Sequence, residues 1–358
     1  NYSSAVDPLT GLQYASVGQA PNPNLRWEKI NNLNFGLDFS MLSNRINGSF
    51  DWYKKWGYDI FSTIPYAPQS GINQFTGNYS NPQAKGIDLD IQSQNLKGSL
   101  NWTTDFQMSY VEDKVTKAKL LSTTTGFSLL SSGFGQSTFP YEGKPLYALY
   151  GYKWGGLDAQ NGEPFGYLNG ELSKDYLAIF QDVSSHPEKL VFLGTSRPKF
   201  FGALRNTFTY NGISISANIS YRFAYYYRRN TINFTDLNEG QWSHADASQV
   251  WQVPGDESRT HVPSIPEITR SNNWIGFSQL SENLGEKGDH IRLNDVILSY
   301  TISKNKIRSI PIQQIRFYTI ASNLGILWKA SNSTEDPDYY QSMFVPVRTY
   351  SIGLNASF

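Results

Sequence analysis

Leu100-Asn101-Trp102-Thr103-Thr104-Asp105-Phe106-Gln107-Met108-Ser109-Tyr110 is the stretch that decides the fold class. Leu100, Trp102, Thr104, Phe106, Met108 and Tyr110 alternate with Asn101, Thr103, Asp105, Gln107 and Ser109. A period of two puts one set on each face of a β-strand, giving one apolar and one polar face. The same alternation runs through residues 33–41, 46–52, 87–92, 213–225 and 350–358. Two architectures write this pattern. In a soluble sandwich the apolar face is the core. In a membrane barrel it meets lipid, and the polar face lines a wet lumen. Sandwich strands average about 5–6 residues, whereas a tilted spanning strand needs about 9–11. Runs 99–110, 213–225 and 349–358 reach the spanning length. Trp102 and Tyr110 sit at opposite ends of one run, as do Tyr350 and Phe358 of another, which fits two interfacial girdles. The expectation is an all-β chain, an antiparallel transmembrane β-barrel segment with long extracellular loops. Its rivals are a secreted soluble β-sandwich that binds glycans and a passive porin without a plug.

Composition narrows the function. The 358 residues carry 30 Lys+Arg and 30 Asp+Glu, a net charge of zero, which argues against a nucleic-acid partner. Charged residues make up 17 %, below the roughly 25 % of soluble domains, while aromatics reach 15 %. Mean hydropathy is still only −0.44. The absence of cysteine excludes disulfides, thiolate zinc sites and cysteine catalysis. No apolar run is long enough for a spanning helix. Asn1 opens a polar stretch without the marks of a signal peptide, so an exported protein would enter here as a mature or truncated piece. Helix signals are weak; the best window, 172–183, is short and poorly capped.

Connection lengths alternate. Short turns fall at 42–44, 95–98, 211–212 and 303–311, and long polar connections at 64–82, 115–198, 229–289 and 330–346. Asn211-Gly212 is a strong tight-turn dipeptide. Outer-membrane barrels have short periplasmic turns and long outer loops. Spanning runs are expected at 25–41, 45–63, 84–94, 99–114, 199–210, 213–227, 290–302, 312–328 and 348–358. Residues 1–24 read as the tail of another outer loop, and the C-terminus falls on the periplasmic side. Nine strands cannot close a bacterial single-chain barrel. Either the chain is the C-terminal part of something larger, or strands hide in the loops, 146–155 being the candidate.

Several short motifs stand in a specific order. They are Pro21-Asn22-Pro23-Asn24-Leu25-Arg26-Trp27-Glu28-Lys29, Asn32 to Asp38, Asp51-Trp52-Tyr53-Lys54-Lys55 and Gly86-Ile87-Asp88. They continue with Leu149-Tyr150-Gly151-Tyr152-Lys153, Gly156-Leu157-Asp158, Pro254-Gly255-Asp256-Glu257 and Ile291 to Tyr300. Asn323-Leu324, Asp336-Pro337 and the final run from Arg348 to Phe358 complete the set. In these the chain resembles the C-terminal barrel portion of SusC/RagA-type TonB-linked outer-membrane transporters of Bacteroidetes, over nearly its whole length. His290 and Asp295 depart from the usual pattern without disturbing it. The resemblance implies a barrel of about 22 strands with an N-terminal plug. The plug and the TonB box would lie upstream of Asn1, so residues 1–358 would be barrel only. It also implies an outer-membrane location and TonB-dependent import of an oligomeric nutrient, an oligosaccharide or a peptide. The implied partners are a SusD-like surface lipoprotein, the TonB complex, the barrel assembly machinery and the lipid bilayer.

Enzyme signatures are missing, and neither a cofactor nor a metal is expected. His186, His244, His261 and His290 read as connection residues without ligand spacing. Asp158-Ala159-Gln160-Asn161-Gly162-Glu163 lacks the spacing of a calcium loop and reads as a turn, as does Asp336-Pro337-Asp338. The sequon at Asn47 lies inside a strand. By parity Asp38, Asp51, Asp88, Asp90, Arg205 and Arg222 face the lumen, for wall hydration and plug packing or for solute contact. Trp242, Trp251, Trp274, Tyr226 and Tyr227 are candidates for substrate or lid contact. Against this, Tyr225–Tyr227 read as upper girdle and the tryptophans equally as a loop core. Phe358 ends the alternating last run as an aromatic assembly signal. Deleting Phe358 should lower the amount of assembled protein and leave transport per assembled molecule unchanged. Equal surface levels of the two proteins, measured by quantitative labelling, would remove that role.

Overall fold

The computed structural model of the chain describes residues 2–6, 10–17, 21–65, 72, 74–118, 126–132, 140–238, 240, 244–265, 273–303, 312–340, 342 and 344–357. In chain order, β1 (Tyr2–Val6) and β2 (Gln13–Val17) pair with each other. Then come β3 (Lys29–Met41), β4 (Ile46–Tyr58), β5 (Ile60–Pro65), β6 (Gln74–Leu96) and β7 (Leu100–Ala118). The first long connection holds α1 (Gly126–Ser132), β8 (Ala148–Gly151), β9 (Gly166–Leu168), β10 (Glu171–Ser173), α2 (Tyr176–Ser185) and β11 (Val191–Thr195). β12 (Phe200–Tyr210) and β13 (Ile213–Phe223) return to the main sheet. The second long connection holds β14 (Tyr226–Arg228), α3 (Phe234–Asn238), α4 (Asn273–Gln279) and β15 (Gly285–Lys287). β16 (His290–Ser303), β17 (Gln314–Lys329) and β18 (Thr349–Ser357) complete the chain. The main sheet has the order β18-β17-β16-β13-β12-β7-β6-β4-β3, every pair antiparallel, with β5 added to β6.

Each of the nine spanning runs supplies one strand to the nine-strand path of this sheet. Run 45–63 breaks at Asp59, whose φ of 56° turns the chain into β5. The connection 64–82 is not a free loop: β5 and the start of β6 form a hairpin that prolongs the wall. Pro82 is accommodated there by a register shift between Asn81 and Pro82. The turn at Asn211 and Gly212 has φ of 50° and 88°, the mirror-image turn that matches strand twist. The 303–311 turn falls largely outside the described residues. β3 and β18 are the two ends of the sheet, so strands 25–41 and 348–358 do not pair directly.

The register aligns aromatics in two rows. Phe35, Trp52, Ile87, Tyr110, Phe200 and Phe223 face one another across β3, β4, β6, β7, β12 and β13. Leu96, Trp102, Phe208, Ile215, Leu298, Thr319 and Ile352 form the second row, toward the short turns. Tyr110 and Phe200 have ring centroids 4.6 Å apart, and Trp102 stacks on Phe208 at 5.4 Å. Tyr110 lies eight residues beyond Trp102. That is about 27 Å along a strand, or about 20 Å of thickness at the usual tilt, near the roughly 25 Å apolar band of such barrels. Nothing among the described residues covers this face: Phe35 is 63 % exposed and Ile352 89 %. A sandwich would bury these side chains under a second sheet, so the sandwich reading fails on them. Among the described residues no helix is long and apolar enough to cross a membrane.

The buried core lies elsewhere, in a lobe built by the two long connections. Leu129, Leu130, Tyr150, Tyr152, Tyr176, Ile179 and Val183 from the first pack with Ile232, Phe234, Val250, Val262, Trp274 and Phe277 from the second. Phe277 is the hub, with ring centroids 5.3 Å from Tyr152, 5.5 Å from Tyr176 and 6.2 Å from Trp154. Burial raises the Tyr152 hydroxyl to about 12. The strands inside the first long connection pair with one another, β8 with β11 and β9 with β10. Run 146–155 thus holds a strand, but one of the lobe and not of the wall. The weak helix window becomes α2, shifted to Tyr176–Ser185 and properly capped: Asp175 accepts a hydrogen bond from the Ala178 amide at 3.0 Å. Arg228 is buried beneath the lobe and donates to the Leu130 carbonyl at 3.1 Å and to the Tyr150 carbonyl. Burial lowers its pKa to about 10, which leaves it charged at neutral pH.

Leu204 lies halfway between the rows, opposite Phe106 and Ile219. Leu204→Arg should destabilise the membrane-inserted barrel by roughly 2–4 kcal/mol. A denaturant midpoint in lipid equal to that of the parent would move this face away from the bilayer.

Candidate functional site

Asp38, Asp51, Asp88, Asp90, Arg205 and Arg222 all lie on the sheet face opposite the aromatic rows. Asp38, Ser49, Asp90 and Gln107 stand in one register row, and Gln107 donates to Asp90 at 2.9 Å. Arg205 reaches Asp295 at 3.2 Å and Ser216 at 3.3 Å, and Asn218 donates to Asp295 at 3.0 Å. Asp295, read in the sequence as a departure, is thus the anion that holds Arg205. A bulge helps it: the register of β13 and β16 shifts between Asn218 and Ile219, which frees Asn294 to accept from Ser220 at 3.1 Å. Asp51 directly faces Asp88. Like charges in that position destabilise a dry sheet. Here they border an open polar cavity of about 270 Å³ that Lys55 also lines.

Toward the long loops this face ends in a charged clamp. Asp338 receives Arg222 at 2.5 Å, His290 at 3.2 Å and Arg292 at 3.3 Å, while Asp336 receives Arg292 at 2.5 Å. Asp336-Pro337-Asp338 is therefore more than a turn: it fastens the last long connection to the tops of β13 and β16. His290 is no connection residue either; it opens β16 and is 1 % exposed. Burial works against ionisation of Asp338, but His290, Arg222 and Arg292 outweigh it and hold its carboxyl below the usual range.

Beside the clamp is a cavity of about 610 Å³ lined by Ile30, Ile60, Pro82, Val111, Leu146, Tyr147, Pro198 and Phe201, with Lys55, Asp113, Arg197 and Arg222 among the lining. Its size suits a small-molecule group. Arg197 lies over the Tyr147 ring at 4.6 Å. The sequence reading missed this pocket. Its aliphatic lining comes from strand tips and loop entries that look unremarkable one at a time.

The aromatic candidates divide. Trp251 is 7 % exposed, Trp274 4 % and Tyr227 0 %, all within the lobe. Tyr225–Tyr227 are not girdle, because Ala224 with φ 61° ends β13 and turns the chain into the lobe. The Tyr225 hydroxyl lies 3.2 Å from His290, and the Tyr227 hydroxyl 3.1 Å from Ser331. Tyr227 offers no surface to a solute or lid. Tyr226 is partly open beside Lys287, and Trp242 and Phe358 lie outside the described residues. In the calcium-like loop a lysine takes the cation's place: Lys174 pairs with Asp158 and with Glu163 at 3.1 Å, and donates to the side-chain Oδ1 of Asn161 at 3.1 Å. No group of three or more acidic or histidine side chains among the described residues is arranged for a metal.

The family described as TonB dependent receptor-like, beta-barrel, matches residues 1–148. TonB-dependent receptor P39 of Formosa agariphila is 25 % identical over 351 residues, covering 84 % of this chain and 32 % of that protein. TonB-dependent receptor SusC of Bacteroides thetaiotaomicron is 28 % identical over 120 residues, 33 % of this chain and 12 % of that protein. The RagAB peptide transporter structure superposes with a TM-score of 0.67 at 19 % identity, over 94 % of this chain and 35 % of that one. The chain spans about a third of the length of P39 and of the related receptors P3 and P26. In sequence and in fold the chain is thus similar to TonB-dependent receptor β-barrels of the SusC/RagA type, which are proteins of the outer membrane.

The clamp has a measurable edge. The Asp338 carboxyl is depressed in the fold, so its contribution is full above the ordinary aspartate value near about pH 4. It fades as pH falls through the depressed value. Asp338→Ala strands Arg222 and Arg292 and removes the partner of His290, and should cost roughly 3 kcal/mol locally. Hydrogen exchange of the 336–340 amides should quicken in the variant. Unchanged exchange would show that the clamp does not hold this connection.

Proposed function

We propose that this chain forms part of the wall and the extracellular mouth of an importer for an oligomeric nutrient. The importer would be driven by the TonB complex through an N-terminal region and lidded by a SusD-like lipoprotein. One observation carries the reading: a single polar face, in register across nine spanning strands, runs up to an apolar pocket at the rim. The charges of that face suit a hydrated passage, and the rim pocket suits a first grip on solute.

Between the two nutrient classes, the pocket favours a peptide. Its lining is aliphatic and aromatic with two arginines, which fits an apolar side chain beside a carboxylate. A sugar ring would ask for a denser set of hydrogen-bond partners. Likeness to the RagAB peptide transporter points the same way. The lobe would serve as the docking surface for the lid. That surface stands on a core to which the second connection gives Phe234, Trp274 and Phe277, so a deletion within 229–289 would unfold the lobe as well as remove a docking site.

Filling the pocket is the cleaner test. Leu146→Trp should lower uptake of short peptides roughly ten-fold at normal surface levels, the worth of about 1.4 kcal/mol. Uptake at the parent rate would leave the pocket outside the transport path. Robust uptake of oligosaccharides but not of peptides would reverse the choice of nutrient.

A further inference from the structure

A second cavity, of about 870 Å³, adjoins the rim pocket at Gln83 and Asp113 and extends onto the other face of the wall. Its floor is set by register. Lys54 pairs with Lys85, and Lys85 with Glu112. These three share the parity of Trp52, Ile87 and Tyr110, which form the upper aromatic row. They therefore stand on the bilayer side of the sheet, one two-residue step of about 7 Å beyond that row, toward the long loops. Lobe residues Lys144, Phe192, Tyr226 and Lys287 supply the opposite wall.

Charge in this cavity is unbalanced. Six lysines, at 54, 85, 114, 144, 199 and 287, line it with three acids, Glu112, Asp113 and Asp289. Two of the acids are engaged by backbone: Asp113 accepts from the Leu146 amide at 2.6 Å, and Asp289 from the Ala224 amide at 2.7 Å. Glu112 is shared by Lys85 at 3.0 Å and Lys199 at 3.7 Å. Among the described residues Lys54, Lys114, Lys144 and Lys287 have no ion pair. Lys144 lies over Phe192 at 4.2 Å and Lys54 over Trp56 at 4.8 Å. A chain of zero net charge thus gathers an excess of lysine around one cavity, whose floor of Lys54, Lys85 and Lys114 lies above the apolar band on the membrane side.

We propose that this cavity binds the phosphate of an anionic lipid headgroup in the outer leaflet, with the acyl chains lying along the aromatic row below. The lysines match phosphate as point charges on flexible stems. A free phosphate would use the lysines but not the row. The inference rests on the outer-membrane placement and is independent of what is transported.

The test uses the full-length receptor in detergent, titrated separately with bisphosphorylated lipid A, dephosphorylated lipid A and inorganic phosphate. The bisphosphorylated lipid should bind, and added salt should weaken it. Combined K54Q, K144Q and K287Q should weaken it roughly ten-fold or more, while the corresponding triple arginine variant keeps binding. An unshifted heat-modifiability band certifies that the glutamine variant is folded. Equal binding by parent and glutamine variant would overturn the site. Inorganic phosphate binding as tightly as the lipid would overturn the lipid as its source, and equal binding of the dephosphorylated lipid would overturn the role of phosphate.

Discussion

The antiparallel ladder is the constraint on which everything else hangs. In hydrocarbon no water replaces a lost backbone hydrogen bond, so each spanning strand must be paired along its length. Pairing fixes register, and register fixes the face of every side chain. That is why Asp38, Asp51, Asp88, Asp90, Arg205 and Arg222 emerge together on one side, while Phe35, Trp52, Tyr110 and Phe200 emerge on the other. Where the ladder shifts in β16, polar side chains of the inner face take up the irregularity: Asn294 accepts from Ser220, and Asp295 holds Arg205 and Asn218.

Glycines serve the same ladder. Gly86, Gly202 and Gly353 each stand opposite a tyrosine, Tyr53, Tyr221 and Tyr318. In each pair the ring folds over the bare backbone, and an added Cβ would collide with it. This is the aromatic cover that repairs a glycine in a strand. It occurs on both faces, with Tyr221 on the membrane side and Tyr53 and Tyr318 on the polar side.

Legibility in the sequence followed periodicity. The alternation in 100–110 and 213–223 states faces directly, and all nine wall strands were readable from it. What escaped has local causes. Tyr225–Tyr227 continued the alternation past Ala224, a residue that gives no turn signal yet adopts a positive φ. The helix window 172–183 began before the true cap, Asp175. Pro65 and Pro82 made 64–82 look like loop, although a bulge accommodates Pro82 in β6. The clamp and the rim pocket escaped because their parts lie far apart in the chain; Arg222 and Asp338 are 116 residues apart. Neither has a spacing that a linear pattern could reveal.

The lobe has one core but two contributors. Phe277 of the second connection packs on Tyr152, Trp154 and Tyr176 of the first, and Glu282 accepts from the Trp154 amide at 2.9 Å. Gly166 is kept bare by the Phe277 ring. Neither connection can bury its apolar side chains without the other. A lineage that replaced one loop alone would inherit half a core and an exposed complement. The heritable module at this mouth is therefore the loop pair, and new specificities should enter as exchanged pairs or as single changes on the lobe's rim.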